Sequence, residues 1–285
     1  MGFKDNLKEI LRGKLSEEDL SLLPGGFQTL GKVIILKLHP NLLEKKEIIG
    51  KTYLELLPHI QSVYLNLGKI SGEYRQPEKM EFLAGKDDPI VEHKEHGIIY
   101  RFDITKIMFS KGNLNERKFL ASLVQKGEII VDMFAGIGYF SLPIAKHSSP
   151  ENIYSIEINP VAYKFLVENI KINHLESKIR PILGNSKEEV KKLVKSGIKA
   201  NRVIMGVFPA PIDFIDGALD LIKENGTIFH YEGVEKKENF MNLFKDFTDI
   251  ARKRNCKCEL LSKRFVKSYG PGLYHIVLDI FVLKI

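Results

Sequence analysis

Along residues 131–146 the chain reads VDMFAGIGYFSLPIAK. A β-branched run ends in an acid, Asp132. Gly136 and Gly138 follow with one residue between them, and the sequence then turns apolar at helical spacing. Glycine adopts positive φ without a clash, so such a turn lets backbone approach a ligand closely. The helix that follows aims its first amides at the same place. A dinucleotide fingerprint would want a third glycine at position 141, where Ser141 stands, and the Gly-Lys-Ser/Thr of a P-loop is absent. Asp132 repels a bound pyrophosphate and attracts a ligand with a positive amino group and no phosphate. S-adenosyl-L-methionine is such a ligand. Downstream, YSIEINPVAYKFLVENIKIN places Glu157 at a strand end, where a carboxylate can accept both ribose hydroxyls of this ligand or of NAD. Asn159 and Pro160 suit the N-cap and first turn of the next helix. The third strand ends in GNSKEE, where Asn185 can meet an adenine edge through its amide or neighbouring backbone. Singly, these residues also read as turn glycines, a solvated acid and a helix cap. Jointly, in order at three successive strand ends, they predict a nucleoside site.

These residues need a scaffold, and the rhythm beyond residue 105 supplies one. Strand-like runs (EIIVDMF, NIYSIEI, IRPILG, NRVIMGV, GTIFHYEG) alternate with amphipathic helical runs. That pattern predicts a doubly wound α/β domain over 106–285 with a mostly parallel sheet. Two consecutive strand-like runs joined by GPG close the chain, which predicts an antiparallel hairpin at one sheet edge. Residues 1–105 read as a small α+β domain. It has a helix capped by Ser16, a strand over 32–38, a helix over 41–57 that Gly50 ends or kinks, and strands over 62–68 and 97–105.

The composition bounds the partners. The 285 residues are 44% hydrophobic and 28% charged, which fits a folded globular chain. There is no apolar run of about 18 residues, so no membrane span is expected. The first residues carry charge throughout and hold no signal core, so the cytoplasm is expected. The net charge of +7 favours a polyanionic partner, and basic side chains crowd 251–270, ARKRNCKCELLSKRFVKSYG. Cys256 and Cys258 stand too close for a good disulfide, and no second pair completes a zinc site.

DMFAGIGYFSLPIAK, YSIEINPVAYKFLVENIKIN, NRVIMG and VKSYGPGLYHIVLDIFV together resemble one archaeal and eukaryotic family, over about residues 90–285. It holds the tRNA guanine-37 N1-methyltransferase and the wybutosine-pathway aminocarboxypropyltransferase. The resemblance implies a class I methyltransferase fold (Rossmann-like), S-adenosyl-L-methionine as group donor and tRNA as substrate. It also implies that Ser110 and Arg117, in FSKGNLNERKFLASL, help to hold the cofactor or the target nucleotide. Phe134, Ile158 and Ser186 flank the acids and Asn185 and complete the expected cofactor set. The methyltransferase branch resembles Asn-Leu-Pro or Asn-Pro-Pro after its fourth strand. Here IMGVFPAP puts Gly206 in the asparagine's place, which fits the aminocarboxypropyl branch. The expected reaction is transfer of the 3-amino-3-carboxypropyl group to C7 of 4-demethylwyosine at position 37 of tRNA(Phe). N1-methylation of guanine 37 is the first alternative, a non-catalytic RNA-binding protein that retains the pocket is the second, and an NAD oxidoreductase is the third. Tyr139 and Phe208 are expected to stack a base splayed from the anticodon loop. His230 and Glu232 are expected to line the site. No acid or base is assigned, since alignment is the main demand of the chemistry.

Overall fold

The computed structural model describes residues 2–72 and 74–285. It divides into two compact units, Met1–Lys94 with Ile99–Phe109, and Glu95–Ile98 with Ser110–Ile285.

The first unit opens with α1 (Phe3–Leu11) and α2 (Glu17–Leu22). The Ser16 hydroxyl accepts the Asp19 amide at 3.1 Å and caps α2. Then come β1 (Gln28–Leu30), β2 (Val33–Leu36), α3 (Lys46–Leu56), β3 (Ser62–Asn66), β4 (Ile70–Ser71), β5 (Gln76–Pro77) and β6 (Met80–Gly85). Four of these strands form a sheet in the order β1-β2-β3-β6. Its core gathers Leu7, Leu11, Ile34, Leu36, Ile49, Tyr53, Val63 and Leu65. Gly50 does not end its helix: α3 runs through it, and Pro40–Lys45 ahead of it is a 3₁₀ turn. A Cβ at Gly50 would stand 2.9 Å from Leu83 Cβ, so this glycine lets α3 close on β6. β7 (Ile90–Glu95) and β8 (Ile98–Asp103) pair as a two-stranded ladder.

The second unit carries α4 (Leu114–Leu123), β9 (Ile129–Asp132), α5 (Ser141–His147), β10 (Asn152–Glu157), α6 (Pro160–Ile172), β11 (Ile179–Leu183) and α7 (Ser186–Lys195). It continues with β12 (Arg202–Met205), α8 (Ile215–Ala218), β13 (Thr227–Lys236), α9 (Met241–Lys253), β14 (Cys256–Gly270) and β15 (Leu273–Lys284). The seven-stranded sheet runs β11-β10-β9-β12-β13-β15-β14. β9 to β13 are parallel, β15 is antiparallel to β13, and β14 is antiparallel to β15. The expected doubly wound sheet with a C-terminal hairpin is therefore present. The chain builds outward from β9 to β11 and then crosses back to β12. That reversal puts the ligand crevice at the tips of β10, β9 and β12. Val131, Met133, Val203, Met205, Phe229, Tyr231 and Phe247 pack one face of the sheet. Among the described residues no helix is long and apolar enough to cross a membrane, and no cluster suits a metal ion.

Candidate nucleoside site

The loop after β9 is shaped by its two glycines. Gly136 has φ +58° and Gly138 φ +99°. A Cβ at Gly136 would stand 2.5 Å from the Tyr139 ring, so that ring lies against the loop. A Cβ at Gly138 would stand 2.6 Å from Leu142 and 3.2 Å from Leu166, so α5 and α6 close over it. Asp132 lies beneath this loop and is 1% exposed. Its Oδ2 accepts the Ser141 hydroxyl at 2.6 Å, and Ser141 in turn accepts Ser155 at 2.7 Å. Burial pushes the Asp132 carboxyl up to about 7, with the nearby charges of Glu232 and Glu157 adding to the rise.

The tip of β10 is different. Glu157 Oε2 accepts the Gly136 amide at 2.7 Å, and Oε1 accepts the Asn159 amide at 2.8 Å. Burial raises this carboxyl as well, against the pull of those amides. A carboxylate offers about four acceptor positions. With the Ile158 amide also drawing on this carboxyl, the backbone takes part of that capacity and leaves part for a ligand hydroxyl. Ile158 beside it is half-buried. At the tip of β11, Asn185 Oδ1 accepts the Lys187 amide at 2.9 Å and caps α7. Its amide NH₂ group is left for an acceptor outside the protein. The Ser186 hydroxyl donates to the Met133 carbonyl and ties α7 to the glycine loop. Phe134 meets Phe214 edge-on at 4.9 Å. Asp132, Phe134, Gly136, Gly138, Glu157, Ile158, Asn185 and Ser186 thus converge on three adjoining strand ends.

The opposite wall joins Ser110, Arg117 and Tyr139. Arg117 is 1% exposed. It donates to both Glu95 carboxylate oxygens at 2.7 and 2.6 Å and to the Ser110 carbonyl at 2.5 Å. Its guanidinium sits 5.3 Å from the Tyr139 ring centroid. The Ser110 hydroxyl accepts Lys267 Nζ at 2.5 Å. Arg117 and Ser110 therefore hold the wall against which Tyr139 rests.

Past β12, Phe208 meets two groups that the sequence reading did not single out, Tyr269 and His275. The Phe208 ring stands edge-to-face on His275 at 4.7 Å and 5.5 Å from Tyr269, which is 48% exposed. Tyr269 is the residue before the last of β14, beside the Pro271–Gly272 turn that joins the last two strands. An aromatic beside a Pro-Gly turn in a basic segment was its available signal. His230 occupies the level of Asp132 in the sheet register, yet it serves another purpose. Arg202 lies 3.3 Å from its Nε2, and its Nδ1 lies 2.6 Å from Asp279. Arginine can only donate, so the imidazole proton sits on Nδ1 and points to Asp279. Both ring nitrogens are engaged in a buried ionic network and neither faces a substrate. Glu232, one pleat further on, does reach the tip region.

The raised Asp132 carboxyl predicts pH-dependent ligand binding. The folded chain holds its proton more tightly than the unfolded chain, whose carboxyl titrates near 3.9, so stability falls as pH rises from about 4 to about 7. A bound sulfonium favours the ionised form, so affinity for S-adenosylmethionine should climb through about 7, by at most about tenfold per pH unit. Calorimetric titration at several pH values should show this rise. It should be smaller for the neutral thioether S-adenosylhomocysteine and absent in Asp132→Asn.

The cleft fits a sulfonium nucleoside on chemical grounds. It offers carboxylate acceptor capacity for vicinal hydroxyls, apolar Phe134 and Ile158 for a base, and a buried carboxylate for a cation. Comparisons with known proteins agree. Residues 91–261 match the family model described as the TRM5/TYW2 methyltransferase domain, and residues 7–88 match the TYW2 N-terminal domain. The tRNA(Phe) (4-demethylwyosine(37)-C(7)) aminocarboxypropyltransferase of Methanocaldococcus jannaschii is 37% identical over 253 residues, which cover 89% of this chain and 96% of that one. The tRNA (guanine(37)-N(1))-methyltransferase Trm5b of the same organism is 35% identical over 283 residues, covering 99% of this chain but 78% of that one. The crystal structure of Pyrococcus horikoshii TYW2 in complex with MeSAdo is similar with a TM-score of 0.83 at 33% identity, covering 99% of this chain and 100% of that one. With one match on each side of residue 90 and relatives aligned along most of its length, the chain belongs to the TRM5/TYW2 methyltransferase-domain family.

Proposed function

We propose that this protein transfers the 3-amino-3-carboxypropyl group of S-adenosyl-L-methionine to C7 of 4-demethylwyosine at position 37 of tRNA(Phe). The observation that carries this reading is agreement with the aminocarboxypropyltransferase relative over 89% of this chain and 96% of that one, together with a TYW2-type N-terminal domain. The methyltransferase relative extends well beyond the matched region. Gly206 in IMGVFPAP supports the same branch.

When bound, S-adenosyl-L-methionine supplies a sulfonium that activates three attached carbons for displacement. The chain decides which carbon faces the acceptor. Glu157 would take the ribose hydroxyls, Phe134 and Ile158 the adenine faces, and Asn185 an adenine edge nitrogen. Asp132 adds a negative charge from beneath the loop. Arg117 and Ser110 fix the wall behind Tyr139. Phe208 and Tyr269 form an aromatic wall on which a base splayed from the anticodon loop can stack. Lysines and arginines of 251–270 would contact phosphates, and affinity for RNA should then fall steeply with salt. A tRNA partner supports work in the cytoplasm.

Donor labelled separately on the methyl and on the carboxypropyl carbons tests the reading with substrate tRNA(Phe). The carboxypropyl label should enter the RNA and the methyl label should leave with the thioether nucleoside. Methyl label in the RNA would overturn it in favour of N1-methylation. Neither label in the RNA, with donor bound, would instead mark a non-catalytic RNA-binding protein.

A further inference from the structure

The reaction proposed above leaves one proton to place. As a carbon–carbon bond forms at C7, the carbon–sulfur bond to the departing methylthioadenosine breaks and its electron pair stays on sulfur. The ring carbon then carries both its hydrogen and the new substituent. The C7–H proton must leave, with its bonding electrons returning to the ring. A basic group near the splayed base is therefore required.

One buried pair in the second unit has the right construction. Glu232 stands in the middle of β13, one residue past the level where β12 ends; it is 2% exposed, and His275 on β15 is fully buried. His275 Nε2 lies 2.8 Å from Glu232 Oε2. His275 Nδ1 is buried without a hydrogen-bond partner. A proton there would go unsatisfied, so the ring carries its proton on Nε2 and donates it to the carboxylate. Phe208 packs edge-to-face on the same ring at 4.7 Å and holds its plane. The pair is thus oriented from two sides, while Glu232 Oε1 makes no hydrogen bond among the described residues.

The carboxylate also lies at the tip of β12. A Cβ on Gly206 would stand 3.2 Å from Glu232 Oε1 and 3.3 Å from Oε2. The missing side chain lets the carboxylate lie against the backbone at the strand end, with His275 between it and the Phe208 ring. Asp132 on β9 faces Glu232 closely enough for its charge to be felt. His230, two residues back on the same strand, is turned to Arg202 and Asp279 and does not compete.

We propose that Glu232 is the catalytic base of the transfer, accepting the proton that C7 loses, and that His275 is the residue that positions it. This rests on the aminocarboxypropyl reading. Single-turnover transfer is measured with RNA bearing hydrogen or deuterium at C7. Glu232→Gln should slow transfer roughly 10²–10⁴-fold, the usual contribution of a positioned base. Proton loss then limits the rate, so deuterium should slow this variant further. Glu232→Asp should recover part of the rate, and His275→Gln should lose less than Glu232→Gln. Equilibrium affinities of the folded variants for RNA should match those of the parent. In the parent protein without ligands, nitrogen NMR should find the His275 proton on Nε2. Carboxypropyl transfer undiminished in Glu232→Gln, a slowed variant with no deuterium sensitivity, or a proton on Nδ1 each overturns the assignment alone. Methyl label entering RNA with the parent protein overturns the underlying reading, and the assignment with it.

Discussion

Glu157→Ala should bind S-adenosylmethionine roughly 10²–10⁴-fold more weakly than the parent protein. The carboxylate keeps acceptor capacity beyond the bonds given to Gly136 and Asn159. Two ribose hydroxyls using it make charge-assisted hydrogen bonds of about 1.5–3 kcal/mol each, and about 1.4 kcal/mol is tenfold in affinity. Part of the loss is indirect, because the same side chain anchors the Gly136 amide and so the shape of the loop. Glu157→Gln separates the two effects poorly, since its NH₂ must face one of two backbone N–H groups. A dideoxyribose analogue of the ligand separates them well. If the hydroxyls are the partners, the parent should lose affinity for the analogue and Glu157→Ala should lose little more. Titration calorimetry reads both. An alanine variant that binds within about threefold of the parent would remove Glu157 from the site.

The second large effect concerns stability. Arg264 is 17% exposed and lies between Glu116 and Asp279, which are 5% and 7% exposed. Its Nε reaches both Glu116 oxygens at 3.0 Å, Nη2 reaches Glu116 at 2.9 Å and Asp279 at 2.8 Å, and Nη1 adds Asp279 and Ser262. The ring of Phe119 supports the guanidinium from 4.8 Å. Burial alone would raise the Asp279 carboxyl, but hydrogen bonds from His230 and Arg264 outweigh it and hold it well below the usual carboxylate range. Arg264→Ala strands the buried Glu116 carboxylate and leaves Asp279 with only His230 and Ser262, so it should cost about 3–5 kcal/mol, which lowers the melting midpoint by on the order of 10 °C. Because the folded value of Asp279 is depressed, its contribution is complete above the unfolded carboxyl value near 3.9 and fades as pH falls below it. Urea denaturation should therefore show the full gap between parent and variant near neutrality and a narrower one in acid. Equal midpoints at neutral pH would show that the network adds nothing.

Much of the second unit is legible in the sequence because its central strands, β9 and β12, are buried and largely apolar, while the helices between the strands are amphipathic. The terminal hairpin is legible from two strand-like runs on either side of Gly-Pro-Gly. Local signals fail where tertiary packing reassigns a residue. Gly50 carries the mark of a helix stop, yet the demand on it comes from Leu83, far along the chain. His230 and Glu232 share one strand face and one expected role. Their fates diverge because β15 sets Asp279 against the first and His275 near the second. No spacing rule within β13 encodes that. Tyr269 and His275 were missed for the same reason: they reach Phe208 only through the antiparallel return of the last strand. Asp132 is found at the expected strand end, but its depth beneath the loop depends on Ser141 and Ser155, whose hydroxyls carry no distinctive pattern.

The two margins of the seven-stranded sheet are built unlike its interior. β14 has 15 residues, with register shifts at Leu260/Ser262, Phe265/Lys267 and Ser268/Gly270, and Lys257 and Lys263 are exposed along it. β11 at the other margin has five residues and contains Pro181. Bulges, lysines, brevity and proline are the devices that deny an unpaired backbone edge to a neighbouring molecule. Strand exchange between copies is thereby discouraged at both ends, so this protein should stay dispersed at concentrations where a flat, regular edge of that length would recruit further chains.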